Sequence, residues 1–409
     1  MKNSPKEKRK TLADFTASAH LNTGHEVGLY YGFTPVNTPS ITVADTTAAK
    51  KISEGEIVVD SAGNDGGART KLEEKAALVR LYEEYNLFRE PQPVLISTTR
   101  PFKNDRTKIN PKESHHSFDI LGTNRPIAEA ILIETALALL SKNGSEDLHL
   151  EINSIGDKDS AARFGRELSN FYSRHLSDLP AACREKFKKD PFSLLGCTHE
   201  KCAELSLECP KAINFLSEES RARFKEILEF VESLGIPYEI KNNLVANRDY
   251  CSETVFEIKT SNPKDHPLAV GVRYDTLSRK LGYKKEVAAA GVSVCYPTKE
   301  RHVLTKTKAK KLSNPNICFM QLGYEAKLKA LAVIETLRKA GIPVSHALAR
   351  DKMAGQVSLA EHLKSPWIII MGKREAMEDS VIVRNNSTRA QETIFIKDLA
   401  KHIKRHRIG

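Results

Sequence analysis

LVANRDYCSETVFEIKTSNPKDHPLAVGVRYDTLSRKLG, residues 244–282, is the stretch on which the reading of the whole chain turns. Its polar opening, NRDYCSE, leads into the β-type run Thr254-Val255-Phe256-Glu257-Ile258. After a Pro-containing turn come Leu268-Ala269-Val270 and the sharp turn Gly271-Val272-Arg273-Tyr274-Asp275. β-Branched and aromatic residues bounded by Pro, Asn and Asp predict paired antiparallel strands. A tyrosine, an arginine and two aspartates gathered in loops between such strands point to a site rather than a core. For either half alone, turn residues that are simply polar are an equally good account.

Upstream, KLEEKAALVRLYEEYNLF (71–88) repeats apolar residues near the 3.6 period and predicts a helix. PVLIST (93–98) and SFDILG (117–122) predict two strands joined by a long basic loop, TRPFKNDRTKINPKESHH, a length and charge suited to an anion. His115 and His116 fall in that loop, where water is the usual neighbour. The glycines of SEGEIVVDSAGNDGGART (53–70) match no phosphate-loop spacing and are taken as a loop after a strand at Ile57–Val59. A helix is predicted over Pro126–Lys142 and a half-buried strand over LHLEINSIG (148–156), followed by a helical, charged insertion at 158–236 that stops at Gly235. Residues 299–316 lack periodicity and predict a basic linker. Beyond it, strands alternate with helices, which implies a small mixed sheet covered on its faces.

With 409 residues the chain exceeds one core, so two or three domains are expected. The basic start MKNSPKEKRK is followed by no apolar segment, and no run of the chain is long enough to span a membrane. Seven cysteines, an odd number in a large chain, fit reduced thiols; the expected location is cytoplasmic. A net charge of +11 points to a polyanionic partner. Cys197, Cys202 and Cys209, with His199 among them, invite a zinc reading, but their spacing is not that of a tight zinc-knuckle pair, so no metal site is expected.

Five separated segments resemble histidyl-tRNA synthetases, a class II aminoacyl-tRNA synthetase family. LVANRDYCSETVFE and GVRYDTLSRKLG resemble its two histidine-specific segments, and YYGFTPVNTPS (30–40) resembles the dimer-forming motif 1. KLEEKAALVRLYEEYNLFREPQPV is similar to the helix and strand that carry a substrate-facing glutamate, here Glu73. GKREAMEDSVIVRNNSTRAQETI resembles the anticodon-binding domain. The resemblance implies an α+β protein: a class II aminoacyl-tRNA synthetase core with a six- or seven-stranded antiparallel sheet and a helical insertion, plus an α/β anticodon-binding domain. It divides the chain into a basic tail (1–10), the synthetase-like domain (11–312, insertion 158–236) and the anticodon-binding-like domain (316–409). It implies a homodimer, tRNA as partner, and ATP with Mg²⁺ as cofactors if the chain is active, histidine being activated as an adenylate.

The same comparison exposes departures. The family's three phosphate-binding arginines fall here on Ala246, Lys103 and Thr298; a pocket tyrosine falls on Cys251, and Asp119 stands in place of a glutamate. Losing two guanidinium contacts and weakening a third removes on the order of 5 kcal/mol of transition-state stabilisation, or roughly 10³- to 10⁴-fold in rate. The resemblance therefore implies a tRNA-binding protein with weakened or lost adenylation. The alternatives are an active, divergent ligase and a histidine-sensing regulatory subunit of histidine biosynthesis, whose relatives lack the anticodon-binding domain. Lys103 and Arg248 are the catalytic candidates, Glu73, Asp119, Tyr250, Arg273 and Tyr274 the histidine-binding ones, and Arg350, Lys352, Arg384 and Arg389 the RNA-binding ones.

Overall fold

The computed structural model describes residues 21–53, 68, 70–90, 92–100, 113–197, 199–262, 266–297 and 305–408. The basic tail, the strand expected at Ile57–Val59, the loop carrying Lys103, and Thr298 lie outside them.

The chain opens with α1 (Thr23–Tyr30), β1 (Thr34–Pro35), α2 (Val43–Ile52), α3 (Leu72–Glu84), β2 (Val94–Arg100), β3 (Glu113–Leu121), α4 (Ile127–Lys142) and β4 (Leu148–Gly156). The insertion supplies α5 (Lys158–Arg174), α6 (Ala181–Lys189), α7 (Glu200–Glu208) and α8 (Glu218–Ser233). Then follow β5 (Tyr238–Ile240), β6 (Ser252–Thr260), β7 (Ala269–Arg273), α9 (Leu277–Lys280), β8 (Ala289–Pro297) and α10 (Lys306–Ser313). The C-terminal part holds β9 (Ile317–Gln321), α11 (Tyr324–Lys339), β10 (Ser345–His346), α12 (Met353–His362), β11 (Trp367–Met371), α13 (Lys373–Met377), β12 (Ser380–Asn385), β13 (Gln391–Phe395) and α14 (Ile396–Arg405).

The large sheet has the order β1-β2-β3-β8-β7-β6-β4-β5. Its six central strands are antiparallel, and the short β1 and β5 flank them in parallel pairing. The count thus rises to eight because two edge strands too short to show a sequence period are added. The period-2 pattern sorts side chains onto two faces. Phe118, Ile120, Ala290, Val292, Phe256 and Ile258 pack with α4 and α8, while Ile96, Leu121, Val255, Val272 and Ala289 pack with α3 and the 244–251 segment.

The small sheet, β10-β9-β11-β12-β13, is mixed: its first three strands are parallel, the last two antiparallel. It docks on the large-sheet unit through several polar contacts. His346 Nε2 lies 2.9 Å from the Tyr31 carbonyl, and Arg125 pairs with Asp351 at 2.8 Å. Tyr31 itself hydrogen bonds to both Glu134 of α4 and Glu335 of α11.

Two expectations are corrected. The supposed linker contains α10, started by the Thr305 hydroxyl, which accepts from the Lys308 N–H; its charged residues hid a short helix with little apolar face to bury. His115 and His116 lie in β3, not a loop, and His116 is fully buried with its Nε2 2.7 Å from Ser97 Oγ. Polar residues had concealed a strand whose inward side chains bond one another.

Candidate functional site

At the centre of the sheet face beneath α3 lies an enclosed polar cluster. Asp119, on β3, is wholly buried, and its Oδ1 sits 2.5 Å from the ammonium of Lys75, which is 1% exposed. The Tyr274 hydroxyl donates to the same oxygen at 2.8 Å, and the Ser117 hydroxyl donates to Oδ2 at 2.8 Å. Lys75 also reaches Ser117 Oγ at 3.3 Å. Burial, then the neighbouring Asp119 carboxylate, raises the Tyr274 hydroxyl well above its ordinary value. Gly291 of β8 leaves the room: a Cβ there would collide with Asp119 Oδ1 and Lys75 Nζ. The carboxylate is therefore already satisfied by an ammonium and two hydroxyls of its own chain.

Lys75 was missed by the sequence reading, although a signal was available. It stands three residues after Leu72 and three and four before Leu78 and Val79, all buried. A lysine on the apolar stripe of a helix must meet a buried anion or climb out to water. Glu73, one residue nearer the helix start than Glu74, is half-buried.

The other candidates are dispersed. Arg273 turns away from Asp119, because successive residues of β7 point to opposite faces. It is 1% exposed and bonds Glu129 of α4 through Nε at 2.7 Å and Nη2 at 3.2 Å, and Asp275 through Nη1 at 2.9 Å. Arg223 joins the same Glu129 carboxylate at 2.6 Å. Burial alone would raise Glu129, but the two guanidinium groups hold it below the ordinary carboxylate value. Asp275 remains raised by burial despite Arg273.

Arg248 reaches sideways to the insertion. Its Nη2 meets Asp190 Oδ1 at 2.6 Å, and its guanidinium lies 3.7 Å from the centre of the Phe192 ring. Tyr250 and Cys251 are buried beside it in the apolar cluster that includes Leu244 and, half-buried, Ala246. Among the described residues, then, Lys75 at the centre of this face and Arg248 at its rim are each bound to a carboxylate. A triphosphate needs cations aimed at it as charge develops; these two are already engaged, and Lys103 and Thr298 lie outside the described residues.

A cavity of about 560 Å³ lies elsewhere, between β1, β2 and the C-terminal part, lined among others by Phe33, Leu95, Leu348 and Arg350. Arg350 faces this joint: its Nε donates to the Gln92 carbonyl at 3.1 Å and its Nη1 to the Gly355 carbonyl at 2.8 Å. Lys352 is exposed just before α12. Arg384 is half-buried on β12, and Arg389 is exposed in the β12–β13 turn, with φ at 60°. Lys397, Lys401, Lys404, Arg405 and Arg407 add exposed positive charge along α14 and its end.

Comparison with known proteins bears on both parts. Residues 316–406 match the anticodon binding domain family. The chain is 26% identical over 389 residues to the histidine–tRNA ligase of Desulforamulus reducens, covering 91% of each chain. It is 29% identical over 347 residues to that of Bacillus subtilis, covering 82% of this chain and 80% of the relative. Among solved structures it is similar to apo histidyl-tRNA synthetase of S. aureus, with 23% identity, a TM-score of 0.48 and 93% of each chain covered. It is also similar to an ATP phosphoribosyltransferase regulatory subunit/histidyl-tRNA synthetase from Bacillus halodurans, with 15% identity, a TM-score of 0.41, and 90% of this chain and 98% of that one covered. Relatives of one kind, histidine–tRNA ligases, run along both the large-sheet unit and the small sheet with its anticodon binding domain match, and it is these proteins that the chain resembles over most of its length.

Proposed function

We propose that this protein binds tRNA through its C-terminal domain and that adenylation at its large sheet is weakened or lost. The observation that carries the second half is the Lys75–Asp119–Tyr274 cluster. The carboxylate that the family resemblance assigns to the histidine side chain is neutralised and enclosed by the protein itself. A histidine entering there would have to displace a buried ammonium, and separating a buried pair costs about 3–5 kcal/mol. The dispersal of Arg248 and Arg273 into ion pairs of the scaffold supports the same reading. For tRNA, the support is the anticodon binding domain together with the exposed cations of the β12–β13 turn and α14.

The same reading takes residues 11–312 as the synthetase-like domain and 316–409 as the anticodon-binding-like one, and expects a homodimer. Histidine-dependent exchange of labelled pyrophosphate into ATP tests the chemistry. Exchange near background is expected; prompt exchange would establish an active ligase, with Glu73, Lys103, Asp119, Arg248, Tyr250 and Arg273 as the residues to examine. Filter binding of tRNA in rising salt tests the partner, with affinity expected to fall as counterion release predicts. Absence of binding at low salt would refute it.

A further inference from the structure

The cysteines of the insertion do not group as their sequence order suggests. Cys209 stands apart: its sulfur lies 3.2 Å from the Ser206 carbonyl and accepts from the Asn242 amide at 3.3 Å. Cys183, distant in sequence, takes its place. The Sγ atoms of Cys183, Cys197 and Cys202 all lie within 4.8 Å of one another, and Cys183 and Cys197 are 3.8 Å apart.

These separations are informative. Two thiolates at about 2.3 Å from one zinc ion, at the tetrahedral angle, stand about 3.8 Å apart. A disulfide would need about 2.05 Å, and three sulfurs cannot all satisfy one. The local fold explains the convergence. Cys183 sits in the first turn of α6, Cys202 in the first turn of α7, and Cys197 in the loop that joins them. Cys183 and Cys202 are buried, whereas Cys197 is half-buried and His199 exposed, so the remaining side of the trio faces outward.

We propose that Cys183, Cys197 and Cys202 form a tri-thiolate site for a soft divalent cation, zinc above all, whose fourth position on the outward side is taken by water. Sulfur-rich tetrahedral surroundings select zinc over hard cations such as Mg²⁺. The ion would tie α6 to α7 across a small core formed by Phe164, Leu168, Tyr172 and Phe192. It would also fix the 190–197 loop, whose Asp190 and Phe192 grip Arg248, so the site bears on the rim of the large sheet.

The test uses the full-length chain, produced with zinc supplementation, kept reduced and passed through gel filtration before elemental analysis. Stoichiometric zinc is expected. Cobalt in its place should give thiolate-to-metal charge transfer in the near ultraviolet and the visible bands of a tetrahedral site. Cys183→Ser and Cys202→Ser should lose the metal, and Cys209→Ser should keep it. Folded, reduced wild-type chain that retains no zinc and gives no cobalt–thiolate band overturns the proposal. So does equal loss of metal in Cys209→Ser. The wild-type measurement decides the matter even if a variant fails to fold.

Discussion

Replacing Lys75 with methionine is the sharpest test of the enclosed cluster. The side chain is nearly isosteric and apolar, so packing under α3 is kept while the ammonium is removed. Asp119, wholly buried, would then hold its charge against only the Tyr274 and Ser117 hydroxyls. Stranding one member of a buried pair costs about 3–5 kcal/mol. The lone carboxylate can relieve that cost by taking up a proton from solution. The folded variant would then bind more protons than its unfolded chain, so its stability falls as pH rises. The deficit of Lys75→Met should therefore be smaller under mildly acidic than under mildly alkaline conditions, changing by up to about 1.4 kcal/mol per pH unit. Urea unfolding should be followed by far-ultraviolet circular dichroism, because the single tryptophan, Trp367, lies on β11 of the small sheet and reports the wrong unit. Lys75→Met/Asp119→Leu/Tyr274→Phe should recover most of the loss, since a buried pair exchanged for packed apolar groups is often neutral. A deficit in Lys75→Met below about 1 kcal/mol, or one independent of pH, would refute the claim that the pair is closed off from water.

Three further outcomes follow from buried groups. His25 and His346 are both lowered by burial from 6.5 to about 4, so the unfolded chain takes up protons before the folded one. Stability should fall by about 1.4 kcal/mol per pH unit for each as pH drops from about 6.5 to about 4, and His25→Gln should remove part of that slope in acid unfolding curves. Glu134 is raised to about 7, by burial and then by the Glu335 charge, at the joint where Tyr31, Glu335 and Arg338 also meet. Its protonation favours the folded joint at low pH, and that contribution is lost as pH rises from about 4.5 to about 7; the protection of α11 amides, corrected for the intrinsic pH dependence of exchange, should fall over that range in the parent and not in Glu134→Gln. Arg273→Leu takes from Glu129 one of its two guanidinium partners, leaving Arg223, and breaks the Arg273–Asp275 pair; it should cost about 3–5 kcal/mol in thermal unfolding while leaving tRNA affinity in filter binding unchanged.

Much of this architecture is written locally. The periodicity at 71–88 marks α3, the alternation at 148–156 marks β4, and the β-runs around Thr254 and Ala269 become β6 and β7. These signals survive because each element buries one face, and the burial imposes its own period on the residues. Segments whose inward residues are polar carry no such mark. His116, at the heart of β3, read as loop, and α10 read as linker, since charge alone does not separate a solvated helix from a solvated coil.

The sequence by itself determined the elements that bury an apolar face and the order of the two sheet units. Only the tertiary structure decided where the remaining charges are spent. Whether Arg273 or Tyr274 faces Asp119 depends on strand register, and a register shift of one residue reverses both. Lys75 finds Asp119 across 44 positions, and Cys183 joins Cys197 and Cys202 while Cys209 does not. Such partners are chosen by chain crossings that bring distant backbone together, and no local pattern of residues records which buried charge or thiol will stand opposite another.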